Sequence, residues 1–552
     1  MTPAGRSVGE APDTLFHNLE LFNPFTCSWE DTSFTVKDGY VVGMDGAHTS
    51  SRVDLGGARV VPGLIDAHVH IESSLLTPSE FGRLVLKHGT TTVIADPHEI
   101  ANILGREGIR YLHAQAQETP LDVLFLLPSC VPASEFDCGG AVLSANDLFS
   151  LQSEIPFLGL GEVMDVVGVL AGKDEVIQKL GLSSIIDGHA PLLRGLALDR
   201  YIAAGVQSDH ECTGAEEAQE KLRKGMFIMV REGSTERNLA ALIGCVTPCS
   251  ISRWSFATDD RHATMLAEYG HIDDCIRKAV EFGLEEELAL RMATLSPCDR
   301  FHLTDRGALA PGRCADFCVL SSTHQFHVNR VFKKGKDVTN LPYTQPAILP
   351  HRLRSSIPHA RDIEIHGTGG GRVIGLCEHQ IITRSMHCEI EGARVPDIRD
   401  DILKVVVCSR YTPGRIGVGL VHGFGITHGA IATSVAHDSH NLVAVGTGDD
   451  DLRRALGCVI QMGGGMVALR GGESMTLPLE CAGLMSAARY EDVVDRLIHL
   501  ERYTLDMGAI KHPFMYLSFL TLTVIPHLRI TDQGLFDVDA GKLVPLFYEN
   551  SQ

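Results

Sequence analysis

Between residues 64 and 259 the chain carries eight apolar runs of strand length, each followed by a stretch with helical period. The runs are LIDAHVH (64–70), TTVIAD (91–96), DVLFLLP (122–128), FLGLGE (157–162), SIIDGH (184–189), GVQSDH (205–210), MFIMVR (226–231) and WSFATD (254–259). The helical stretches are 78–88, 106–117, 146–153, 174–180, 193–204, 215–224, 235–243 and 272–283. Continuously apolar strands are what a parallel sheet covered on both faces requires. An open doubly wound sheet also alternates in this way. Eight evenly spaced units over about 240 residues instead predict closure into a (β/α)8 barrel.

Both flanks of that region read differently. Residues 15–60 contain short alternating strands, with a turn at Lys37-Asp38-Gly39, which is a hairpin signal. After the barrel, GALAPGRCADFCVLSS (307–322) and FHVNRVFKKGKDV resemble this material. The expectation is one small β domain built from 1–62 and 306–345, with the catalytic barrel over 63–305 between them. Residues 346–364 hold several prolines and scattered basic residues and read as a linker. Residues 365–552 read as a C-terminal α+β domain, Gly-rich and strand-rich at first, with one clear helix over 490–507. A length of 552 residues accommodates such a division.

Charge narrows the function classes. Lys and Arg number 48 against 69 Asp and Glu, a net charge of −21. A nucleic-acid backbone binder needs a basic stripe, and a binder of anionic membranes needs basic clusters; neither fits. No apolar run reaches the length of a membrane-spanning helix. MTPAGRSVGEAPDT lacks the basic start and apolar core of a secretory signal. The 15 cysteines are odd in number and include no CxxC pair, as for reduced thiols in a cytoplasmic protein. Cys245/Cys249 and Cys314/Cys318 have CxxxC spacing, but no second pair completes a zinc site.

Polar residues gather where the proposed strands end. Run 1 ends in His68-Val69-His70, and residues two apart on a strand face the same way. Glu162 ends run 4, His189 run 5, His210 run 6 and Asp259 run 8. The C-terminal ends of barrel strands converge on one mouth, where active sites sit. A single histidine at a strand end is usually a hydrogen-bonded core residue. Four imidazoles and two carboxylates from five strands instead predict a shell for two divalent metals. His68 and His70 with Asp259 would hold one ion, His189 and His210 the other, and Glu162 would bridge. Imidazole and carboxylate ligands without thiolate suit Mn, Fe(II) or Zn. Such a pair generates hydroxide near neutral pH, and Asp259 would accept its proton. The chemistry implied is hydrolysis at a carbon that carries nitrogen. Glu72, His98, Glu99, Ser129, Glu211, Arg231, Glu232 and Asp260 stand at the same mouth as candidates for binding substrate or ordering the ligands.

VPGLIDAHVHIESS, GTTTVIADPHEIAN, GEVMD, IDGHAP, AAGVQSDHECT, FIMVREGS, FATDDRH and LAPGRCADFCVL occur in this order. So do VHGFGITHGAIATSVAHDSHNLVAVGTGDDDL, LPLECAGLMS and HPFMYLSFLTLTVIPHLRITDQGLFDV. Together they resemble the adenine deaminase family of the amidohydrolase superfamily over nearly the whole chain. The resemblance implies a (β/α)8 barrel with a small β domain and an extra C-terminal domain. It implies conversion of adenine to hypoxanthine and ammonia, dependence on manganese or iron, and a homo-oligomer. Glu162 occupies the place where many superfamily members carry a carboxylated lysine. The implied catalytic group is Asp259, Glu162 and His210 at the metals, with Glu99 or Glu211 as the acid near N1 of the ring. His98, Glu72, Arg231 and Asp260 are the implied substrate contacts. Two departures bear on substrate choice. Gly161-Glu162-Val163-Met164-Asp165 replaces Ala-Glu-Val-Met-Asn, and Leu192-Leu193-Arg194 follows HAP where the family has Gly. They keep an N6-substituted or other aminopurine as the alternative; a cyclic amide hydrolase of the same superfamily is the other, against which Glu162 speaks in place of the carboxylated lysine. The motif Ala436-His437-Asp438-Ser439-His440-Asn441 has two readings: a contribution to the site, or a buried polar turn that fixes its domain. The glycine strings 367–372 and 463–465 lack the pattern of a phosphate-binding loop.

Overall fold

All eight apolar runs form parallel strands: β1 (Leu64–Val69), β2 (Thr90–Ala95), β3 (Asp122–Leu127), β4 (Gly159–Val163), β5 (Ile186–Gly188), β6 (Ser208–Asp209), β7 (Phe227–Arg231) and β8 (Trp254–Ala257). The computed structural model describes residues 12–44, 49, 51–321, 326–349, 351, 353–367, 369–390 and 397–548. Residues 1–11, read above for a signal, lie outside them. Ladders join β1 to β5 in order and β6 to β8 in order. The two arcs meet at both seams. At one, Asp259 bridges to Val69; its N–H donates to His68 O at 3.0 Å and its carbonyl accepts from His70 N–H at 3.2 Å. At the other, Gln207 N–H donates to Ile186 O at 3.2 Å.

Ile94 and Leu126 from one arc pack with Met229 and Ala257 from the other, a contact possible only through the barrel interior. Ile94, Met229 and Ala257 each share a strand face with a polar residue two positions on: Asp96, Arg231 and Asp259. The interior is therefore an apolar floor beneath a polar mouth. The helix after β2 begins at His98 and runs to Ala116, eight residues earlier than its apolar period suggests. Pro97 precedes it, and Gly105 interrupts it at φ 57°. Its first turns face the mouth and carry polar residues, so no apolar stripe announces them.

Strands Thr14–Asn23, Ser28–Lys37, Tyr40–Met44 and Ser51–Pro62 form one seven-stranded sheet with Phe317–Leu320, Val328–Lys333 and Lys336–Asp337. The two flanks join where Phe317–Leu320 pairs antiparallel with the end of Ser51–Pro62. Asp38 and Gly39 turn the hairpin at φ 50° and 82°, the positive values a primed two-residue turn demands. Phe16, Phe34, Phe317 and Phe332 form the core of this sheet.

The C-terminal region contains an eight-stranded sheet between Gly369 and Pro478 and a three-stranded sheet between Leu528 and Val544. Helices Asp449–Met462 and Tyr490–Asp506 accompany the larger sheet. The second is held to the barrel: Glu80 accepts from Tyr490 N–H at 2.8 Å, and Arg83 pairs with Glu491 at 2.9 Å. The turn 436–441 and the helix Pro513–Phe519 lie over the mouth, where their side chains join the barrel residues described next.

Candidate metal centre and active site

The β1 pair sets the chemistry. His68 Nδ1 donates to Asp187 Oδ2 at 2.8 Å, and His70 Nδ1 donates to the carbonyl of Asp96 at 3.0 Å. Both Nδ1 protons are thereby committed. The two Nε2 lone pairs then point together, 3.2 Å apart, an arrangement that demands positive charge beside them. Asp259 Oδ1 lies 3.0 Å and Glu162 Oε1 3.2 Å from His70 Nε2. The other oxygen of Glu162 lies 2.5 Å from His189 Nδ1 and 3.2 Å from His210 Nε2. Glu162 therefore turns one oxygen toward each imidazole pair. All six residues are buried.

Charge follows from that burial. Desolvation opposes protonation of His210, but its contact with Glu162 and the charges of Asp259 and Glu211 push its pKa up to about 10. Desolvation likewise favours the neutral acids. Yet His189 outweighs it at Glu162 and Arg231 at Asp259, so both carboxyls stay well below the usual carboxylate range. His189 Nε2, both ring nitrogens of His210 and Asp259 Oδ1 are buried without a hydrogen-bond partner. Orphaned nitrogen and oxygen donors, with no thiolate among them, fit divalent cations. Two three-residue clusters, His68–His70–Asp259 and Glu162–His189–His210, each bring their donor atoms within 4.8 Å of one another. Asp259 holds a left-handed φ of 54°, a conformation Asp tolerates better than most residues.

The surrounding polar residues sort themselves by partner. Arg231 pairs with Asp259 Oδ2 at 2.7 Å, with Asp260 Oδ2 at 2.9 Å and with Glu211. Glu236 lies 3.5 Å from the same guanidinium, so four carboxylates surround Arg231, which braces Asp259. Asp260 also accepts from Ser73 Oγ at 2.5 Å. Glu72 accepts from Ile100 N–H at 3.1 Å, and burial pushes its carboxyl up to about 7. Ser129 Oγ donates to the Glu162 carbonyl at 2.5 Å. Glu232 turns to Lys278 at 2.8 Å. His98 stands between the two halves of the mouth: Nδ1 lies 3.5 Å from Glu162 Oε1, and Nε2 lies 3.3 Å from Glu99 and 3.7 Å from Asp438.

Glu99 reaches across to the C-terminal region. It meets His437 at one oxygen and His440 Nε2 at the other, the latter at 2.5 Å. His440 Nδ1 accepts from Ala436 N–H at 3.2 Å, so its Nε2 carries the proton and donates. Burial raises the Glu99 carboxyl, but His437, His98 and His440 outweigh it and hold it well below the usual range. So placed, Glu99 offers one carboxylate oxygen to each of two histidines of the C-terminal region. The turn 436–441 is thus a buried polar turn and part of the mouth at once. Ile381, Phe519 and Leu522 join it opposite Met164 in the wall of the same cavity. Leu192 and Arg194 do not line that cavity: Leu192 N–H binds Glu217 at 2.8 Å, and Arg194 pairs with Glu220 at 2.8 Å on the exposed rim. Sequence reasoning misses Asp187, which stands two residues before His189 and holds His68, and Asp96, whose backbone carbonyl holds His70. For Asp187 the signal is a carboxylate inside an apolar run; the Asp96 contact is made by backbone and leaves none.

A closed parallel barrel that gathers these imidazoles and carboxylates at its strand ends is an amidohydrolase. The amidohydrolase family model matches residues 59–338, and the adenine deaminase C-terminal domain model matches residues 380–542. An adenine deaminase of Methanoregula boonei is 54 % identical over 550 residues, covering 99 % of this chain and 98 % of its own. One of Methanoculleus marisnigri is 57 % identical over 516 residues, covering 94 % and 100 %. Adenine deaminase 2 of Carboxydothermus hydrogenoformans is 41 % identical over 559 residues, covering 98 % of each. The chain belongs to the adenine deaminase family.

Proposed function

We propose that the chain hydrolyses adenine at C6 to hypoxanthine and ammonia. The observation that carries this reading is Glu162, which offers one carboxylate oxygen to each of two imidazole pairs. His68, His70 and Asp259 would hold one divalent ion and His189 and His210 the other. Mn2+ or Fe2+ is the leading choice, and Zn2+ is compatible with the same donors. When bound, such ions supply a Lewis acid that makes water nucleophilic near neutral pH.

The protein's own groups do the rest. Asp259 Oδ1, without a hydrogen-bond partner and facing the histidines, accepts a proton from the attacking water and returns it to the departing amine. Arg231 holds the other oxygen of Asp259, so the accepting atom is always Oδ1. Glu99, ionised between His437 and His440, accepts a hydrogen bond from a ring or amino N–H of the base. Glu211 faces the mouth as a second carboxylate, held in position by its salt bridge to Arg231. Phe519 stacks on His437 with centroids 4.8 Å apart and, with Ile381 and Leu522, supplies an apolar wall for a planar base while excluding water.

The reading extends to a cytoplasmic homo-oligomer. All 15 cysteines are free, and no helix among the described residues is long and apolar enough to cross a membrane. Val142, Phe149, Val167 and Leu196 stand exposed around the helices that follow β3 to β5. Light scattering tests the assembly.

The test of activity uses protein purified with Mn2+ supplied and iron limited. Ammonia release is followed from adenine, adenosine, cytosine, 6-methylaminopurine and dihydrouracil. Turnover of adenine alone, abolished by chelation and restored by Mn2+, is the expected result. Protein that retains two metals per chain and leaves adenine untouched would remove the substrate assignment.

A further inference from the structure

We infer that Lys221, which lies outside the mouth, is a positioning residue that fixes the spacing of His189 and His210. The inference rests on the reading of these two histidines as ligands of one ion. The seam between β5 and β6, like that between β8 and β1, has no strand ladder. A backbone hydrogen bond spans it from Gln207 N–H to Ile186 O, three residues before each histidine, and Ser208 Oγ donates to Asp187 Oδ1 at 2.5 Å one residue further on. Nearer the mouth, side chains replace the ladder. The Lys221 ammonium, fully buried on helix Ala215–Arg223, donates to Ala190 O at 2.6 Å, to Asp209 Oδ2 at 2.9 Å and to Glu217 Oε1 at 2.6 Å. Its three protons are all used.

The acceptors show what is being held. Ala190 directly follows His189, and Asp209 directly precedes His210. Asp209 Oδ1 accepts from Ala190 N–H at 2.8 Å, so the backbone beside one histidine is tied at both its polar groups to the lysine–aspartate pair beside the other. Glu217 Oε1 also accepts from Leu192 N–H at 2.8 Å, which anchors the loop after His189 to the same helix. Strands without a ladder are free to splay, and two ligands that splay lose the shared geometry a metal needs. A buried ammonium with three fixed acceptors closes that freedom.

The test compares the wild-type chain with Lys221→Met and with the charge-balanced Asp209→Asn/Lys221→Met, which leaves no unpaired carboxylate at residue 209. The protein is loaded with Mn2+, metal per chain is measured, and loss to excess chelator is followed over time. Both variants are expected to keep one ion at the wild-type rate and to lose the second at least tenfold faster. The Mn2+ concentration for half-maximal activity should rise by a similar factor, with the KM for adenine within twofold. If Lys221→Met does not fold, the double variant decides. Two ions lost at wild-type rates from a folded variant would overturn the inference, as would both ions being lost faster in equal measure. A wild-type chain that binds fewer than two ions would refute the paired centre itself, a result visible before any variant is made.

Discussion

With the metals stripped, protons stand in for cations at the imidazoles. The His210 pKa rises from an ordinary 6.5 to about 10 in the folded chain. A raised folded-state pKa contributes stability that is complete below the unfolded value and is lost as pH climbs through the folded one. The metal-free protein should therefore lose thermal stability between about pH 6.5 and pH 10, while the Mn2+-loaded protein stays level; scanning calorimetry at both ends of that window checks it. For the same reason metal binding expels protons, and Mn2+ affinity should fall as pH drops. Asp187 orients His68 by their 2.8 Å contact. Asp187→Asn should weaken metal binding by about 10–100-fold, read by competition with a fluorescent chelator; unchanged affinity would show that the ring keeps its aim unaided.

At the scale of elements, glycine decides how closely the ligand-bearing strands approach. A Cβ at Gly188 would lie 2.4 Å from the carbonyl oxygen of Ser208 on β6, and backbone cannot swing aside. Gly188→Ala should destabilise the chain by about 1–3 kcal/mol and lower the Mn2+ content, with denaturant unfolding as the measurement; a variant of wild-type stability would mean that the seam is slack. The helix His98–Ala116 shows where pattern runs out. After Gly105 it has an apolar face and was legible; before Gly105 its face is turned to the mouth, so Pro97-His98-Glu99 reads like loop. The eight strands were legible because each must be apolar on both sides, whatever it carries at its end.

On the scale of the molecule, the C-terminal region completes a site that the barrel only begins. His440 meets Glu99 across 341 positions of sequence. His440→Ala removes a buried hydrogen bond to a charged group, which costs about 1.5–3 kcal/mol. The kcat/KM for adenine should fall roughly 10–100-fold while metal content stays at the wild-type level. A folded variant with full kcat/KM would reduce the turn 436–441 to a structural part.

The chain alone determined the barrel, the family, and the place of His68, His70, Glu162, His189, His210 and Asp259 at strand ends. Periodicity and strand polarity are local properties, and convergence at the C-terminal ends is a consequence of closing a parallel sheet. Tertiary structure alone decided who partners whom. It committed Arg231 to Asp259, Asp260 and Glu211, ionised Glu99 between two histidines of another region, kept Leu192 and Arg194 off the cavity wall, and laced β5 to β6 through Lys221. Those outcomes depend on distances between residues far apart in the chain. The charge state of a buried group is set by what surrounds it, which no spacing along the sequence records.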